Sequence, residues 1–503
     1  MKLSKIWFTV CFLFTILVAC SGDGDSIPEV IVEARVPEDT ILIPIIENET
    51  TVSYEVQAAG VSPHRGFYGC VDLEGNMVLP PQFTDAGTHS EGLIAVQIPI
   101  DYSIDGIKTE FPGTLRWGYV NALGEWVVEP RFLSAEEFHD GIAKVSWVEH
   151  TAGSDSQKIH EISHFGFIDR EGNVRFSWSL DYPEDVSPSP LDGTMRSFFN
   201  GEHLFENKNR PQSTRRKSFE ETRNRYSTSS EGLIRFRDPD SDLYGFVDTS
   251  GETVIPPTYP IALSFHDGLA VAMDPNTQVY GYIDTSGRFV IGGVTNETDG
   301  IKSEEYLYIS SFSDGFAVVG IGKYEGSRPS NLEQSRNWTV EWHYIDKSGN
   351  STYRWGVTKY LDIYGQFGNT WPLGKIENGV GVSAHEYEGS GRLSASSYHQ
   401  ITKSKEPRII DPYGKVILDL DKSEWNASGV RSFSEGFFPV YHSETKQPAF
   451  INPNGEIILR LNGLKKDNKN FKNGAVSFES TEKGVRSVYI NTRGEEIFRE
   501  TVE

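Results

Sequence analysis

Tyr244-Gly245-Phe246-Val247-Asp248-Thr249-Ser250-Gly251-Glu252-Thr253-Val254-Ile255-Pro256-Pro257 is the stretch that decides how this chain folds. Asp248 is placed to accept hydrogen bonds from nearby backbone amides, and Gly251, three residues on, supplies the positive φ that closes a tight turn. The flanking Gly-Phe-Val-Asp and Thr-Val-Ile-Pro segments read as two short strands, so the unit is a hairpin. Pro256-Pro257 is expected to end the second strand, because proline cannot donate to a ladder. The phrase runs on through Tyr259 and Phe265 to Asp267-Gly268-Leu269-Ala270-Val271, a second turn that feeds a third strand.

Outward from this stretch the same order of landmarks returns. One copy runs from Tyr68-Gly69 through Asp72, Gly75, Pro80-Pro81 and Phe83 to Glu91-Gly92-Leu93. Another runs from Trp117-Gly118 through Asn121, Gly124, Pro130 and Phe132 to Asp140-Gly141-Ile142. Weaker copies begin at Phe165-Gly166, Tyr280-Gly281 and Trp342-His343, with turns at Asp169/Gly172, Asp284/Gly287 and Asp346/Gly349. Degenerate copies keep the turn alone, at Asp411/Gly414, Asn452/Gly455 and Asn491/Gly494. Successive turn glycines lie 49, 48, 79, 36, 62, 65, 41 and 39 residues apart, so the unit is 36–49 residues and the longer gaps hold insertions.

A three-stranded unit of this size cannot bury its own face, so units must stack. The fold class is therefore all-β, an array of three-stranded β-hairpin repeats, with a propeller-like closed ring favoured over an open solenoid. The ninth unit has its hairpin but no following third strand before Glu503. Thr51-Val52-Ser53-Tyr54-Glu55-Val56, ahead of the first unit, has strand composition and is expected to supply that strand, hiding both sheet edges. The largest insertion, about 177–230, is Pro-rich and then polar; Arg210 to Arg225 within it reads as a short helix, and Arg215-Arg216-Lys217 as a solvated charge run.

The landmarks resemble the WG-repeat family of bacterial proteins, named for a Trp-Gly pair that Trp117-Gly118 matches literally and that other copies carry as Tyr-Gly or Phe-Gly. The resemblance spans roughly residues 64 to 498. It implies the repeat architecture; the family brings no catalytic residue to carry over and no settled ligand.

The N-terminus reads as an export signal. Lys2 and Lys5 precede an apolar run of 14 residues from Ile6 to Ala19, too short for a bilayer span but suited to a signal h-region. The run ends in Leu17-Val18-Ala19-Cys20, which looks like a bacterial lipobox, and this implies cleavage before Cys20 and acylation of its thiol. Several acyl chains on one residue give stable anchoring where one is marginal. The chain thus divides into a signal peptide (1–19), a lipidated Cys with an acidic tether (20–40), an N-terminal strand segment (41–63) and the repeat array (64–503). Because Ser21 rather than Asp follows Cys20, the expected address is the outer membrane of a diderm cell envelope. Only Cys70 then remains of Cys11, Cys20 and Cys70, so no internal disulfide forms, and Cys70 reads as a small buried hydrophobe.

Composition narrows the partners. With 37% hydrophobic and 12% aromatic residues the chain has a core to build, and the aromatics favour strands. Its net charge of −24, or −26 once Lys2 and Lys5 leave, opposes phosphate backbones and argues against nucleic acid.

One catalytic pattern matches. His160-Glu161-Ile162-Ser163-His164 fits H-E-x-x-H, in which two helical histidines hold zinc and the glutamate serves as base. It runs directly into the Phe165-Gly166-Phe167-Ile168-Asp169 strand, which leaves little room for a helix, and a third ligand would have to be Glu220 or Glu221. The recurring turn aspartates do not form calcium loops, which gather several oxygens in one segment where each turn here offers one. Trp178, Trp355, Trp371 and Trp425 fall in insertions, as either loop platforms for a glycan or peptide or as core. The expected function is a lipid-anchored, extracytoplasmic binding or scaffolding module for a protein or glycan partner. No cofactor, metal or catalysis is expected; a zinc hydrolase at residues 160–164 and a purely structural envelope protein are the rivals.

The anchor is testable directly. Wild-type chain should partition into the detergent phase, and Cys20→Ala should move to the aqueous phase; equal partitioning of the two would remove the lipobox reading.

Overall fold

The computed structural model describes residues 40–47, 67–100, 103–104, 107–108, 114–152, 159–181, 222–292, 305–324, 338–359, 376–383, 408–427, 433–465 and 469–501. Within these, nine small antiparallel sheets follow one another along the chain, each with its strands side by side in chain order, beside one two-stranded ribbon at Ser103–Ile104 and Ile107–Lys108. Helical backbone among the described residues is confined to short turns such as Leu420–Lys422. The first sheet joins Ile43–Glu47, Phe67–Val71 and Met77–Phe83; the fourth joins Leu233–Arg237, Tyr244–Asp248 and Thr253–Tyr259; the ninth joins Ala475–Glu479, Val485–Asn491 and Glu496–Thr501.

Sheet and sequence repeat are out of phase. The strand after Asp267-Gly268, Ala270–Met273, pairs not with its own hairpin but with Tyr280–Ile283 of the following unit. Each unit thus donates the opening strand of the next sheet. The ninth unit keeps three strands because the unit before it supplies Ala475–Glu479. The first sheet takes its opening strand from Ile43–Glu47, antiparallel to Phe67–Val71 with Ile45 opposite Gly69. The sequence had assigned Thr51–Val56 to complete the ninth unit; that segment lies outside the described residues, and the N-terminal strand that is described, Ile43–Glu47, joins the first sheet and not the ninth.

Both faces of each sheet are covered, which explains why its middle strand reads as an apolar run rather than a strict alternation. Adjacent residues point to opposite neighbours. Phe246 packs with Phe265 and Ala272 towards the fifth sheet, while Val247 packs with Phe165 and Phe167 of the third. Tyr282 and Ile283 divide in the same way. One hydrophobic cluster fills each interface between consecutive sheets, and a further cluster joins the ninth to the first through Ile43, Ile45, Val71, Ala475 and Ile497. An aromatic pair recurs in edge-to-face geometry: Tyr119–Phe138 at 4.8 Å, Phe246–Phe265 at 4.8 Å and Tyr282–Phe312 at 4.7 Å. Each such pair contributes about 0.5–1.5 kcal/mol beyond area burial.

The prolines do not end their strands. Met77–Phe83, Trp126–Phe132 and Thr253–Tyr259 run straight through Pro80-Pro81, Pro130 and Pro256-Pro257. The register shows why: Tyr244 faces Tyr259 and Phe246 faces Ile255, so two extra residues bulge out opposite Gly245. A proline in a bulge forfeits no ladder bond. The bulge also accounts for the glycine of the Tyr-Gly and Trp-Gly pairs. A Cβ on Gly245 would sit 2.6 Å from the Ile255 carbonyl oxygen and 2.8 Å from the Pro257 nitrogen, and Gly69 and Gly118 meet the same two atoms of their own bulges at the same distances.

The turn glycines carry two constraints at once. Gly251 has φ +88°, and a Cβ there would lie 2.6 Å from Cγ of Phe176 on the preceding sheet. Gly268 has φ +81° with nothing near its Cβ direction. Gly268→Ala should therefore cost about 1 kcal/mol for the backbone alone, and Gly251→Ala a further ~1–3 kcal/mol for overpacking. Urea titration of the two variants checks this, and equal midpoints would mean that the sheet-to-sheet contact carries no weight.

Candidate binding site

Two sets of polar turns recur, and both direct their carboxylates at backbone amides. In the hairpin turns, Asp72 Oδ1 accepts from the amides of Glu74 and Asn76 at 3.0 and 2.8 Å, and Asp248 Oδ1 accepts from Ser250 and Glu252 at 2.8 and 3.0 Å. Asn121, Asp169, Asp284, Asp346, Asp411, Asn452 and Asn491 repeat the arrangement. The glycine three residues on has positive φ in all nine: Gly75, Gly124, Gly172, Gly251, Gly287, Gly349, Gly414, Gly455 and Gly494. The Ser286 hydroxyl, then backbone amides and Arg288, hold the Asp284 carboxyl down to about 2 against its desolvation. With their acceptor capacity directed inward, these residues serve as turn caps.

The second set was legible in sequence only as a turn. Glu91-Gly92, Asp140-Gly141, Glu231-Gly232, Asp267-Gly268, Asp314-Gly315, Asn378-Gly379, Glu435-Gly436 and Asn473-Gly474 all have positive φ at both residues, the two-residue hairpin geometry. The acidic side chain then reaches the next turn along. Gly141 N–H donates to Glu91 at 3.0 Å, Gly232 to Asp140 at 2.9 Å, Gly268 to Glu231 at 2.9 Å, Gly315 to Asp267 at 2.7 Å, Gly379 to Asp314 at 3.1 Å and Gly474 to Glu435 at 2.9 Å. Glutamate in the left-handed region is uncommon, and this bond to a neighbouring sheet compensates for the strain.

The last of these turns reaches the first. Asn473 Nδ2 donates to the His89 carbonyl at 2.6 Å, and Lys472 Nζ bonds Thr88 Oγ1 at 3.0 Å and Glu137 at 2.9 Å. Nearby, Asn491 Nδ2 donates to the Leu73 carbonyl at 2.8 Å and Arg493 pairs with Glu74 at 3.4 Å. Beside this seam lies a cavity of about 490 Å³, walled by Pro44, the Ala86-Gly87-Thr88 segment, Glu136, Glu137, His139 and Thr228. Burial opposes charge on Glu137, but hydrogen bonds from Thr88 and Lys472 and the Lys472 charge hold its carboxyl below the usual range. His89, next to Thr88, is buried with Nε2 unpartnered, and burial pushes its imidazole below the usual histidine range against a hydrogen bond that the ring donates to the Gly92 backbone.

Other candidate residues fall elsewhere. His160 to His164 belong to the strand Ile159–Asp169, where Thr151 faces His160 and Trp147 faces His164, so the helix on which the zinc pattern depends is not formed. His164 stacks on Trp147 at 5.2 Å and bonds Glu149 at 3.1 Å. Glu220 and Glu221 lie outside the described residues, as do Cys20, the leader, the tether, Trp371 and Arg215-Arg216-Lys217. Three tryptophans assigned to insertions are strand residues: Trp178 in Val174–Asp181, Trp355 in Ser351–Lys359 and Trp425 in Trp425–Ala427. Trp178 and Trp425 are buried, and the Trp178 indole donates to the Thr222 carbonyl at 2.7 Å. Cys70 is fully buried with its thiol pushed up to about 12 by desolvation. No described helix is long and apolar enough to cross a membrane.

A family model described as a WG containing repeat matches residues 68–98, 117–146 and 244–274. No curated protein matches. Among solved structures the chain is similar to one described as the eukaryotic initiation factor, at 9% identity over 86% of this chain and 93% of that one with a TM-score of 0.40. It is also similar to the β-propeller domain of the Trilobed protease from Pyrococcus furiosus, at 10% identity over 72% and 95% with a TM-score of 0.26. A protein of unknown function from Bacteroides caccae matches at 14% identity over 55% and 92% with a TM-score of 0.21.

The turn-to-turn bonds make a clean comparison possible. Asp267→Ala removes the acceptor of the Gly315 amide and should lower stability by about 1–3 kcal/mol. Asp267→Asn keeps a carbonyl acceptor and a residue tolerant of positive φ, and should cost less than about 1 kcal/mol. Equal losses in thermal denaturation would mean the bond to Gly315 is not what Asp267 contributes.

Proposed function

We propose that this chain is a lipid-anchored binding module of the bacterial cell envelope, a nine-sheet, propeller-like closed ring that presents its surface to a protein partner. The observation that carries the reading is the direction of the repeated carboxylates. The acidic residues that recur from unit to unit bond to backbone amides of their own turn or of the next sheet, and so serve architecture. What remains for function is surface shape and the places where units differ. No catalytic role is proposed for any residue.

Closure into a ring is supported by the way the repeat rule carries across the chain ends. Turn glycines approach the preceding sheet: Gly287 meets Ile255, Gly349 meets Ile291 and Gly494 meets Leu459. By the same rule Gly75 of the first sheet meets Ile497 of the ninth, where a Cβ would stand 2.7 Å from the carbonyl oxygen. The envelope address rests on the lipobox-like Leu17-Val18-Ala19-Cys20, with the outer membrane as the proposed destination.

Immobilised full-length chain exposed to envelope extract should retain a partner that, once purified, binds the chain saturably at one site. If no retained component binds saturably in purified form, the module reading falls.

A further inference from the structure

One buried position of the repeat changes character where the last unit meets the first two. Two residues ahead of the acidic or asparagine residue of each two-residue turn stands a side chain packed between sheets: Phe138, Phe265, Phe312, Ile376, Phe433 and Phe471, all buried. The carbonyl at this position accepts from the unit before it: Phe138 from Ser90 at 2.6 Å, Phe265 from Ser230 at 2.6 Å and Phe471 from Ser434 at 2.9 Å. In the turn that enters the second sheet the position is His89, only 8% exposed, and the donor to its carbonyl is Asn473 of the last unit at 2.6 Å. Ser229, the other polar occupant, spends its hydroxyl on Asp140 at 2.6 Å. An ionisable ring thus fills a slot that six other sheets fill with hydrocarbon, and it does so where the last unit makes its contact.

The neutral ring suits this slot and a charged ring does not. One ring nitrogen donates to the Gly92 backbone, and Nε2 is buried with no partner among the described residues. Protonation puts an N–H and a positive charge at Nε2 with no acceptor to receive them. The charged groups around the slot do not supply one. Lys472 of the last unit is a cation bonded to Thr88 and Glu137, and Arg170 of the third sheet is a cation whose Nη2 lies 3.3 Å from the Cβ direction of Gly92. Glu137 is engaged by Lys472 and Thr88, with His139 3.9 Å from it. Glu91 of the same turn accepts from the Gly141 amide, and Glu435 from the Gly474 amide. On the first sheet, Cys70 holds the place from which Tyr119 meets Phe138 and Phe246 meets Phe265, and burial keeps its thiol neutral.

We propose that this junction is acid-sensitive: protonation of His89 unseats the Asn473 contact and loosens the last unit from the first two sheets, while the other interfaces hold. The sign follows from burial. Desolvation lowers the imidazole below its ordinary value of 6.5, so the neutral ring's contribution is complete above that value and is lost as pH falls below it. Glu137 acts in a lower window: although burial opposes its charge, Thr88 and Lys472 hold its carboxyl below 4.5, and its contribution is lost only as pH falls past that value. A charge on His139 strengthens its pairing with Glu137 and so has the opposite sign. The inference rests on the closure proposed above.

Hydrogen exchange read by mass spectrometry on the full-length chain, corrected for the intrinsic rate at each pH, tests it. Amides of Ile43–Glu47 and Ala475–Glu479 should lose about threefold or more of their protection between about pH 7.5 and 5.5, while those of Tyr244–Asp248 in the fourth sheet keep theirs. His89→Phe installs the residue that most other sheets carry and should abolish the response. His89→Asn, which keeps a donor and cannot be charged, should do the same. Should neither variant fold, the wild-type midpoint decides: one above 4.5 supports the proposal, and one below it assigns the response to Glu137 and overturns it. A response that survives both substitutions, or that is equal in the fourth sheet, also overturns it. Slow exchange at both pH values overturns the acid response and leaves the closure standing; fast exchange at both overturns the closure as well.

Discussion

Apolar side chains on both faces of a three- or four-stranded sheet are the constraint on which everything else depends. Such a sheet exposes too much hydrocarbon to exist alone and needs a neighbour on each side. Phe246 and Val247, adjacent in sequence, are buried against different sheets, and the same holds for Tyr282 and Ile283. A linear stack would satisfy all the inner sheets and leave the outward faces of the first and last in water. Those two faces carry Ile43, Ile45 and Val71 on one side and Ala475 and Ile497 on the other, and they are buried together. Among the described residues no sheet mixes strands of the first and last units, and the contact between them is made by side-chain packing and a few hydrogen bonds.

Close stacking then dictates the recurring small and cyclic residues. Gly245 exists because a bulge of the neighbouring strand crosses its Cα, and the prolines sit in that bulge because its amides have no ladder to serve. Gly251 combines a turn that needs positive φ with a neighbouring Phe176 ring that leaves no room for a methyl group. The motif is therefore a record of backbone proximity, which is why it recurs without bringing any reactive group with it.

Legibility in the sequence followed the same physics. The turns at Asp248 and Gly251 could be read because hydrogen-bonding and φ preferences are local, and they remained visible at Asn452/Gly455 and Asn491/Gly494, where the strands had diverged. Three features were not legible, each because it depends on a partner distant in sequence. The strand after Asp267-Gly268 looks as if it belongs to its own hairpin, and only the pairing of Ala270 with Ile283 reveals the offset. Pro256-Pro257 reads as a stop unless the bulge is known. Within the N-terminal segment the sequence pointed to Thr51–Val56, whereas Ile43–Glu47 is the strand described, and only its pairing with Phe67–Val71 reveals it. Trp178 was placed in an insertion for a similar reason, though it is a strand residue; of the two readings left open for it, core or loop platform, its neighbours Phe167, Phe176 and Tyr226 select core. Acidic turn residues such as Asp267 were read as turn formers, and their reach to the next sheet had no local signature.

A repeat array is uniform wherever each unit answers the same packing problem, so its distinctive chemistry belongs where that problem changes. It changes at the first sheet. Ahead of the first sheet's Pro44 stand Thr40 and Ile41 where other sheets have a Glu-, Asp- or Asn-Gly turn, and Asn473 reaches across to the His89 carbonyl while Lys472 reaches to Thr88 and Glu137. Beside this junction lie a buried imidazole at His89 with Nε2 unpartnered and a cavity walled in part by the third sheet. The same residues thus hold the chain ends together and wall the cavity, so occupancy of the cavity and the strength of the seam are physically coupled.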